Sequence, residues 1–238
     1  MNQNSTNQPP AGTDPQLPMA DVVRFVRQLS HDLRNHLNAA ELQSAYVNEL
    51  AEDAEVKEEI RRLRGMLGEM GASLQRLTTS LAEVKLTAMP YPARAFMEDL
   101  QQKLALQSPQ QSSAIDWQLQ DVDGAELNID PQMLQQALLE LFANAFLHER
   151  GEGSLTAGAE VLAGKFRFTL REPKGAFSGA METWGQQPFR KVKHGHYGLG
   201  LPRVRSIVQA HGGELSAQYD EPSSSLVTTV VLPIGSGE

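Results

Sequence analysis

The octapeptide Ser30-His31-Asp32-Leu33-Arg34-Asn35-His36-Leu37 sets a histidine beside a carboxylate. A neutral imidazole nitrogen can attack a phosphoryl group, and an adjacent carboxylate can orient the ring or take up its other proton. Asn35 follows His31 by one helical turn, so in a helix the two share a face. An amide there can hydrogen-bond an attacking water or a phosphoryl oxygen. His36 falls on or beside the apolar positions and reads as a packing residue.

Two further clusters carry chemistry. Glu140 and Asn144 are four apart in Glu140-Leu141-Phe142-Ala143-Asn144-Ala145, again one helix face. A carboxylate and an amide at that spacing can hold Mg²⁺ and its waters against a triphosphate, because Mg²⁺ takes a few oxygen ligands plus water. Gly195-His196-Tyr197-Gly198-Leu199-Gly200-Leu201 then opens into a helix. Glycines let backbone approach a phosphate, and a helix N-terminus attracts anions. No Gly-Lys-Ser/Thr follows, so this is not a Walker loop.

The elements that must position these residues follow from periodicity. Val22, Val26, Leu29, Leu33, His36 or Leu37, Ala40, Ser44 and Val47 recur at helical spacing from Met19 onward. His31 points roughly opposite this stripe, exposed in mid-helix. A second run is cleaner: Val56, Ile60, Leu63, Leu67, Met70, Leu74, Leu77, Leu81, Val84 and Ala88 form a heptad seam. Glu52-Asp53-Ala54-Glu55 is the polar turn between them. One antiparallel hairpin cannot bury both stripes, so a dimeric four-helix bundle is expected. Gly65, Gly68 and Gly71 interrupt the second run, either to allow close packing or because a strong seam tolerates them.

Pro90 and Pro92 end the hairpin. Helices are expected over 93–106, 131–148 and 199–211, and strands over 114–119, 125–129, 154–162, 165–170, 214–219 and 225–232. Residues 171–196 read as a long loop of the kind that serves as a lid. This order predicts an α+β sandwich. The domains are then a disordered tail over 1–18, a hairpin over 19–89 and a sandwich over 90–238.

Bulk properties exclude several classes. A net charge of −8 argues against a nucleic-acid surface, and the lack of cysteine removes disulfides and thiolate metal sites. No 18-residue apolar run and no basic-then-apolar leader occur, so no membrane insertion and a cytoplasmic location are expected.

The order His31-Asp32-Leu33-Arg34-Asn35, Glu140…Asn144, Gly198-Leu199-Gly200-Leu201 and His211-Gly212-Gly213 resembles bacterial two-component histidine kinases over residues 20–234. The resemblance implies a dimerisation and histidine-phosphotransfer hairpin followed by a GHKL-type ATP-binding α/β sandwich. It makes His31 the phosphoacceptor, Asp32 the base, and Asn35 the residue used in response-regulator dephosphorylation. It implies ATP and Mg²⁺ as cofactors, with Glu140, Asn144, Glu172, Gly198, Leu199 and Gly200 at the nucleotide and Asn144 on the metal. Asp130-Pro131 matches the aspartate ahead of the asparagine helix, and Phe189 a lid phenylalanine. The implied partners are a second copy, a response-regulator receiver domain and a separate sensor protein.

The chain also departs from that pattern. The family's Asp-x-Gly-x-Gly box, whose Asp binds the adenine amino group, is Arg171-Glu172-Pro173-Lys174-Gly175-Ala176-Phe177 here. Glutamate is one methylene longer, and Pro173 restricts the turn. Leu147 replaces a common lysine, His196 a common glycine, and His36 the usual proline. Three activities fit: an ATP-dependent histidine kinase, a histidine phosphotransfer protein with a vestigial nucleotide domain, and a dimeric interaction module.

Overall fold

Met19–Leu50 form helix α1 and Ala54–Ser80 form helix α2. Asp53 caps α2 by accepting the Glu55 N–H at 2.7 Å, which satisfies one of the orphan donors of its first turn. The computed structural model describes residues 18–147, 151, 153–175, 184–185 and 198–234. It divides into two units, the first ending at Leu81 and the second starting at Ala82. Among the described residues, no helix is long and apolar enough to cross a membrane.

In the first unit, α1 turns a face containing Val26, Ser30, Leu37 and Ser44 inward, and α2 answers with Ile60, Leu67, Leu74 and Thr78. Arg34 donates to Gln75 Oε1 at 2.7 Å and ties the helices across this contact. The expected stripe on α1 is therefore only half used. Val22, Leu29, Leu33 and Val47 stay exposed, as do Leu63, Met66 and Met70 on α2. A side chain at Gly65, Gly68 or Gly71 would meet nothing within 4 Å, so these glycines do not serve close packing inside the hairpin.

The second heptad run was expected to continue through Val84 and Ala88, but the helix stops at Ser80. Thr78, Thr79 and Ser80 are weak helix formers, and Thr78 Oγ1 bonds back to the Leu74 carbonyl at 2.9 Å. The second unit then captures the chain. Arg203 donates to the Ala82 carbonyl, Asp130 Oδ2 accepts the Thr87 N–H at 2.9 Å, and Val84 packs on the second core.

That unit runs β1 (Met89–Pro92), α3 (Ala93–Gln107), a single turn α4 (Pro109–Ser112), β2 (Ile115–Gln120), β3 (Glu126–Ile129), α5 (Pro131–Leu147), β4 (Leu155–Leu162), β5 (Lys165–Pro173), α6 (Gly200–Ala210), β6 (Glu214–Asp220) and β7 (Ser225–Pro233). The main sheet has the order β2-β4-β5-β7-β6, with β2–β4 parallel and the rest antiparallel. β1 and β3 form a separate two-stranded pair. The prolines of β1 had hidden it, since Pro is expected only at edges of sheets. β5 continues through Pro173, three residues past its expected end at Leu170, and most of the loop expected over 171–196 lies outside the described residues. Ala163 and Gly164, with φ of 51° and 71°, make the two-residue turn joining β4 to β5.

One face of the sheet and helices α3, α5 and α6 enclose the core. Phe142 of α5 stands at its centre, 5.5 Å from the Trp117 ring and 6.0 Å edge-on from Phe168. Asp130 caps α5 by accepting the Met133 N–H on Oδ1 at 3.0 Å. Its own N–H donates to His211 Nε2 at 3.0 Å. The other ring nitrogen of His211 lies 2.8 Å from the Ile207 carbonyl, which fixes Nδ1 as the protonated one.

Burial pushes the Asp130 carboxyl upward, but backbone N–H groups of Met133, Thr87 and Gln132, with His211, outweigh it and hold it below the ordinary value. A depressed folded value stabilises the fold above the unfolded value, near 4, and this is lost as pH falls through the folded value. Asp130→Asn keeps an oxygen for Met133 but cannot accept from both partners. We expect amide exchange in 82–88 to quicken about tenfold, and the loss of stability below about pH 4 to be shallower than in the wild type. Unchanged exchange would show that Thr87 is not held this way.

Candidate functional site

Helix α1 carries the first cluster. His31 and Asp32 are exposed, with Asp32 Oδ1 3.3 Å and Asn35 Nδ2 3.4 Å from the same ring nitrogen, Nδ1. These contacts are alternatives: the carboxylate needs a proton on Nδ1, the amide needs a lone pair there. In the first tautomer Nε2 holds the lone pair and is the nucleophile. Gln28, which sequence reasoning missed, donates to Asp32 Oδ1 at 3.0 Å and steadies the carboxylate. It sits four residues before Asp32, and that spacing was the available signal. His36 is exposed and does not pack, contrary to expectation. It lies roughly 140° around the helix from His31.

The second cluster joins α5 to the start of α6. Asn144 Nδ2 donates to the Glu140 carbonyl at 2.8 Å and to Glu140 Oε1 at 3.3 Å. A Cβ placed on Gly200 would collide with Glu140 Oε1 and approach Cδ to 2.8 Å. The glycine at the head of α6 is thus the space in which the Glu140 carboxylate lies. Gly198 has φ of 66°, a left-handed conformation suited to glycine, and Leu199 is buried. Phe189 and His196 lie outside the described residues. Leu147, at the end of α5, is exposed.

These residues fit a hard cation. Asn144 turns its nitrogen toward Glu140, which leaves Oδ1 as an oxygen donor, and Glu140 adds a carboxylate beside it. Among the described residues, no cluster of three or more His, Asp or Glu could hold a metal alone. Phosphate oxygens and water would complete the shell, the usual mode for Mg²⁺. Gly200→Ala tests the arrangement. We expect the Glu140 side chain to be displaced and nucleotide-dependent phosphorylation to fall about tenfold or more, with the circular dichroism spectrum unchanged. A wild-type rate would mean that the position of this carboxylate is immaterial.

Glu172 stands apart from this cluster. It continues the inward alternation Phe166, Phe168, Leu170 along β5, and it is 6% exposed. Its Oε1 pairs with Lys174 Nζ at 2.5 Å, and Lys174 is 7% exposed. A buried carboxylate with its own ammonium was not foreseen. The signal was the same alternation, which places Lys174 one pleat beyond Glu172 once β5 is read past Leu170. The backbone here is pinned: Lys174 N–H donates to Ser224 O at 2.8 Å, Tyr219 Oη donates to Lys174 O at 2.9 Å, and Gly151 N–H donates to Pro173 O at 2.8 Å. Thr228 of β7 adds a buried hydroxyl-bearing side chain to the inner face.

Comparison with known proteins gives this arrangement a context. Residues 129–236 match the family model described as histidine kinase-, DNA gyrase B-, and HSP90-like ATPase. The chain is 28% identical over 212 residues to the sensor histidine kinase ZraS of Escherichia coli (strain K12), covering 87% of this chain and 44% of ZraS. It is 22% identical over 234 residues to an uncharacterised sensor-like histidine kinase of Rhizobium meliloti (strain 1021), covering 90% of this chain and 43% of the relative. The chain spans less than half the length of these curated relatives. Among solved structures, full-length ShkA in complex with AMPPNP matches with a TM-score of 0.68 at 18% identity, over 89% of this chain and 46% of ShkA. The Acinetobacter baumannii histidine kinase AdeS matches with a TM-score of 0.51 at 18% identity, over 86% of this chain and 98% of AdeS. A paired-helix unit bearing His31-Asp32 and a sandwich whose residues 129–236 match this ATPase family model are found together in one chain, which is similar to sensor histidine kinases over most of its length.

Proposed function

We propose that the chain autophosphorylates on His31 with ATP and passes the phosphoryl group to an aspartate of a response-regulator receiver domain. The observation that carries this reading is the exposed His31 ring with Nδ1 beside Asp32, which in the tautomer protonated at Nδ1 leaves Nε2 for attack. The Nε2 lone pair forms a bond to the γ-phosphorus, the bond to the bridging oxygen breaks, and ADP leaves. Asp32 takes up or stabilises the Nδ1 proton as positive charge develops on the ring. A receiver aspartate then attacks the phosphorus, and the P–N bond breaks. Glu140, Asn144 and the Gly198–Gly200 turn would hold the nucleotide, with Asn144 Oδ1 on Mg²⁺. Bound Mg²⁺ would neutralise phosphate charge, and positioning would supply most of the remaining catalysis.

The active species is a homodimer in this reading. Val22, Leu29, Leu33, Leu63, Met66 and Met70 are exposed on one hairpin, and a second copy would cover them in a four-helix bundle. Incubation with γ-labelled ATP and Mg²⁺ tests the proposal. Acid-labile, alkali-stable label is expected; no label, or acid-stable label, would overturn it.

A second reading has one observation in its favour. Glu172, the carboxylate that the resemblance assigns to the base, is buried and paired with Lys174. A chain that binds no nucleotide would instead take phosphate onto His31 from one receiver domain and give it to another. Titration with Mg²⁺–ATP separates the two: micromolar binding supports the kinase, and none at millimolar concentration supports the phosphotransfer protein.

A further inference from the structure

We propose that Asn35 is a positioning residue for the phosphorylated state of His31: its amide donates to the Nδ1 lone pair that remains once Nε2 carries phosphate, and this slows loss of the phosphoryl group. The inference rests on the reading that His31 takes phosphate on Nε2. Asp32 Oδ1 and Asn35 Nδ2 reach the same ring nitrogen, at 3.3 Å and 3.4 Å. An ionised carboxylate only accepts there, and an amide nitrogen only donates. Each therefore serves a different protonation state of Nδ1.

Before attack Nδ1 carries the proton, and Asp32 accepts it. Bond formation from Nε2 to phosphorus makes the ring cationic, and the Nδ1 proton leaves to Asp32 or water. A lone pair is then left on Nδ1, and Asn35 is the donor beside it. Loss runs the other way. When water attacks the phosphorus, the P–N bond breaks and its electron pair returns to Nε2. The leaving group is a neutral imidazole when Nδ1 is protonated and an imidazolate when it is not, so hydrolysis waits on that proton. A donor bonded to the lone pair opposes protonation, whereas the neighbouring carboxylate favours it. The flanking cations of this unit are committed elsewhere. Arg27 and Arg34 donate to the Leu81 carbonyl and to Gln75 Oε1. The stretch they reach, residues 75–81, carries one charge, Arg76, which donates to Ser73.

The experiment loads the full chain with inorganic phosphoramidate, which needs no nucleotide site, and separately with ATP and Mg²⁺. Phosphoryl loss is followed against pH by phosphorus NMR in wild type, Asn35→Ala and Asp32→Asn, with His31→Gln identifying the His31 signal. In Asn35→Ala the bend of the rate–pH profile should move up by about half a pH unit, making loss above the bend about threefold faster. Asp32→Asn should move it down. An unmoved bend in Asn35→Ala overturns the role of Asn35, and so does a downward shift, because the amide would then present its oxygen to Nδ1. Either leaves the kinase reading standing where ATP supplied the label. The expected shift with label from phosphoramidate alone keeps the inference and overturns the kinase reading. No label on His31 from either donor overturns both.

Discussion

On the kinase reading, His31→Gln is expected to abolish acid-labile phosphorylation, with residual label at least about a thousandfold below wild type. The amide nitrogen of glutamine has no available lone pair, so no neighbouring group can restore the nucleophile. His36→Gln serves as the internal control. His36 is exposed on the same helix but turned well away, and Asp32 and Asn35 contact His31 instead. Its removal leaves labelling within about twofold of wild type. Asp32→Asn preserves shape but cannot take up the ring proton, and a loss of about a hundredfold is expected. The measurement is label retained on the protein after gel separation under alkaline conditions. Full labelling of His31→Gln would remove the phosphoacceptor assignment altogether.

Phe142→Ala is the largest structural effect. The ring is wholly buried and packs against Trp117 and Phe168, joining α5 to both β2 and β5. Truncating a buried phenylalanine costs about 3–5 kcal/mol, much of the net stability of an ordinary domain. For a unit of this size the midpoint of thermal unfolding should fall by about 10 °C. Phe142 also lies two residues from both Glu140 and Asn144. The cavity would therefore loosen the helix under the candidate cation site, and phosphorylation should fall before the midpoint is reached. A shift under about 3 °C would show that the neighbouring aromatics collapse into the space.

Much of this architecture was legible from residue patterns, for reasons specific to each element. α3, α5 and α6 announced themselves by apolar spacing, and Pro131 at the first turn of α5 marked its start. The β6–β7 hairpin alternated visibly. The end of α2 was not legible, because Val84 continues the heptad spacing yet spends its apolar surface on a different core. β1 was concealed by two prolines that only an edge position tolerates. At the site, His31 with Asp32 and Asn35, and Glu140 with Asn144, could be paired by spacing of one or four along a helix. The approach of Gly200 to Glu140 joins residues 60 apart, which no local pattern encodes. Lys174 was missed because a lysine one pleat beyond a strand end ordinarily points into solvent, and only the pinned backbone turns it inward.

The strand order carries a further consequence. β4–β5 and β6–β7 are each local hairpins, and the sheet becomes continuous only where β5 pairs with β7 from Lys165↔Pro233 to Pro173↔Ser225. That seam closes a long stretch of chain, and closure entropy rises only with the logarithm of its length, about 0.6 kcal/mol per doubling. Residues between the hairpins and outside α6 can therefore be lengthened or shortened at little entropic cost. Glu172 and Pro173 close the seam and Lys174 borders this segment, whereas Phe142 and Asp130 lie outside it. A sandwich built this way can drift in its ligand chemistry while its scaffold stays fixed, and the gain or loss of an activity need not pass through an unfolded ancestor.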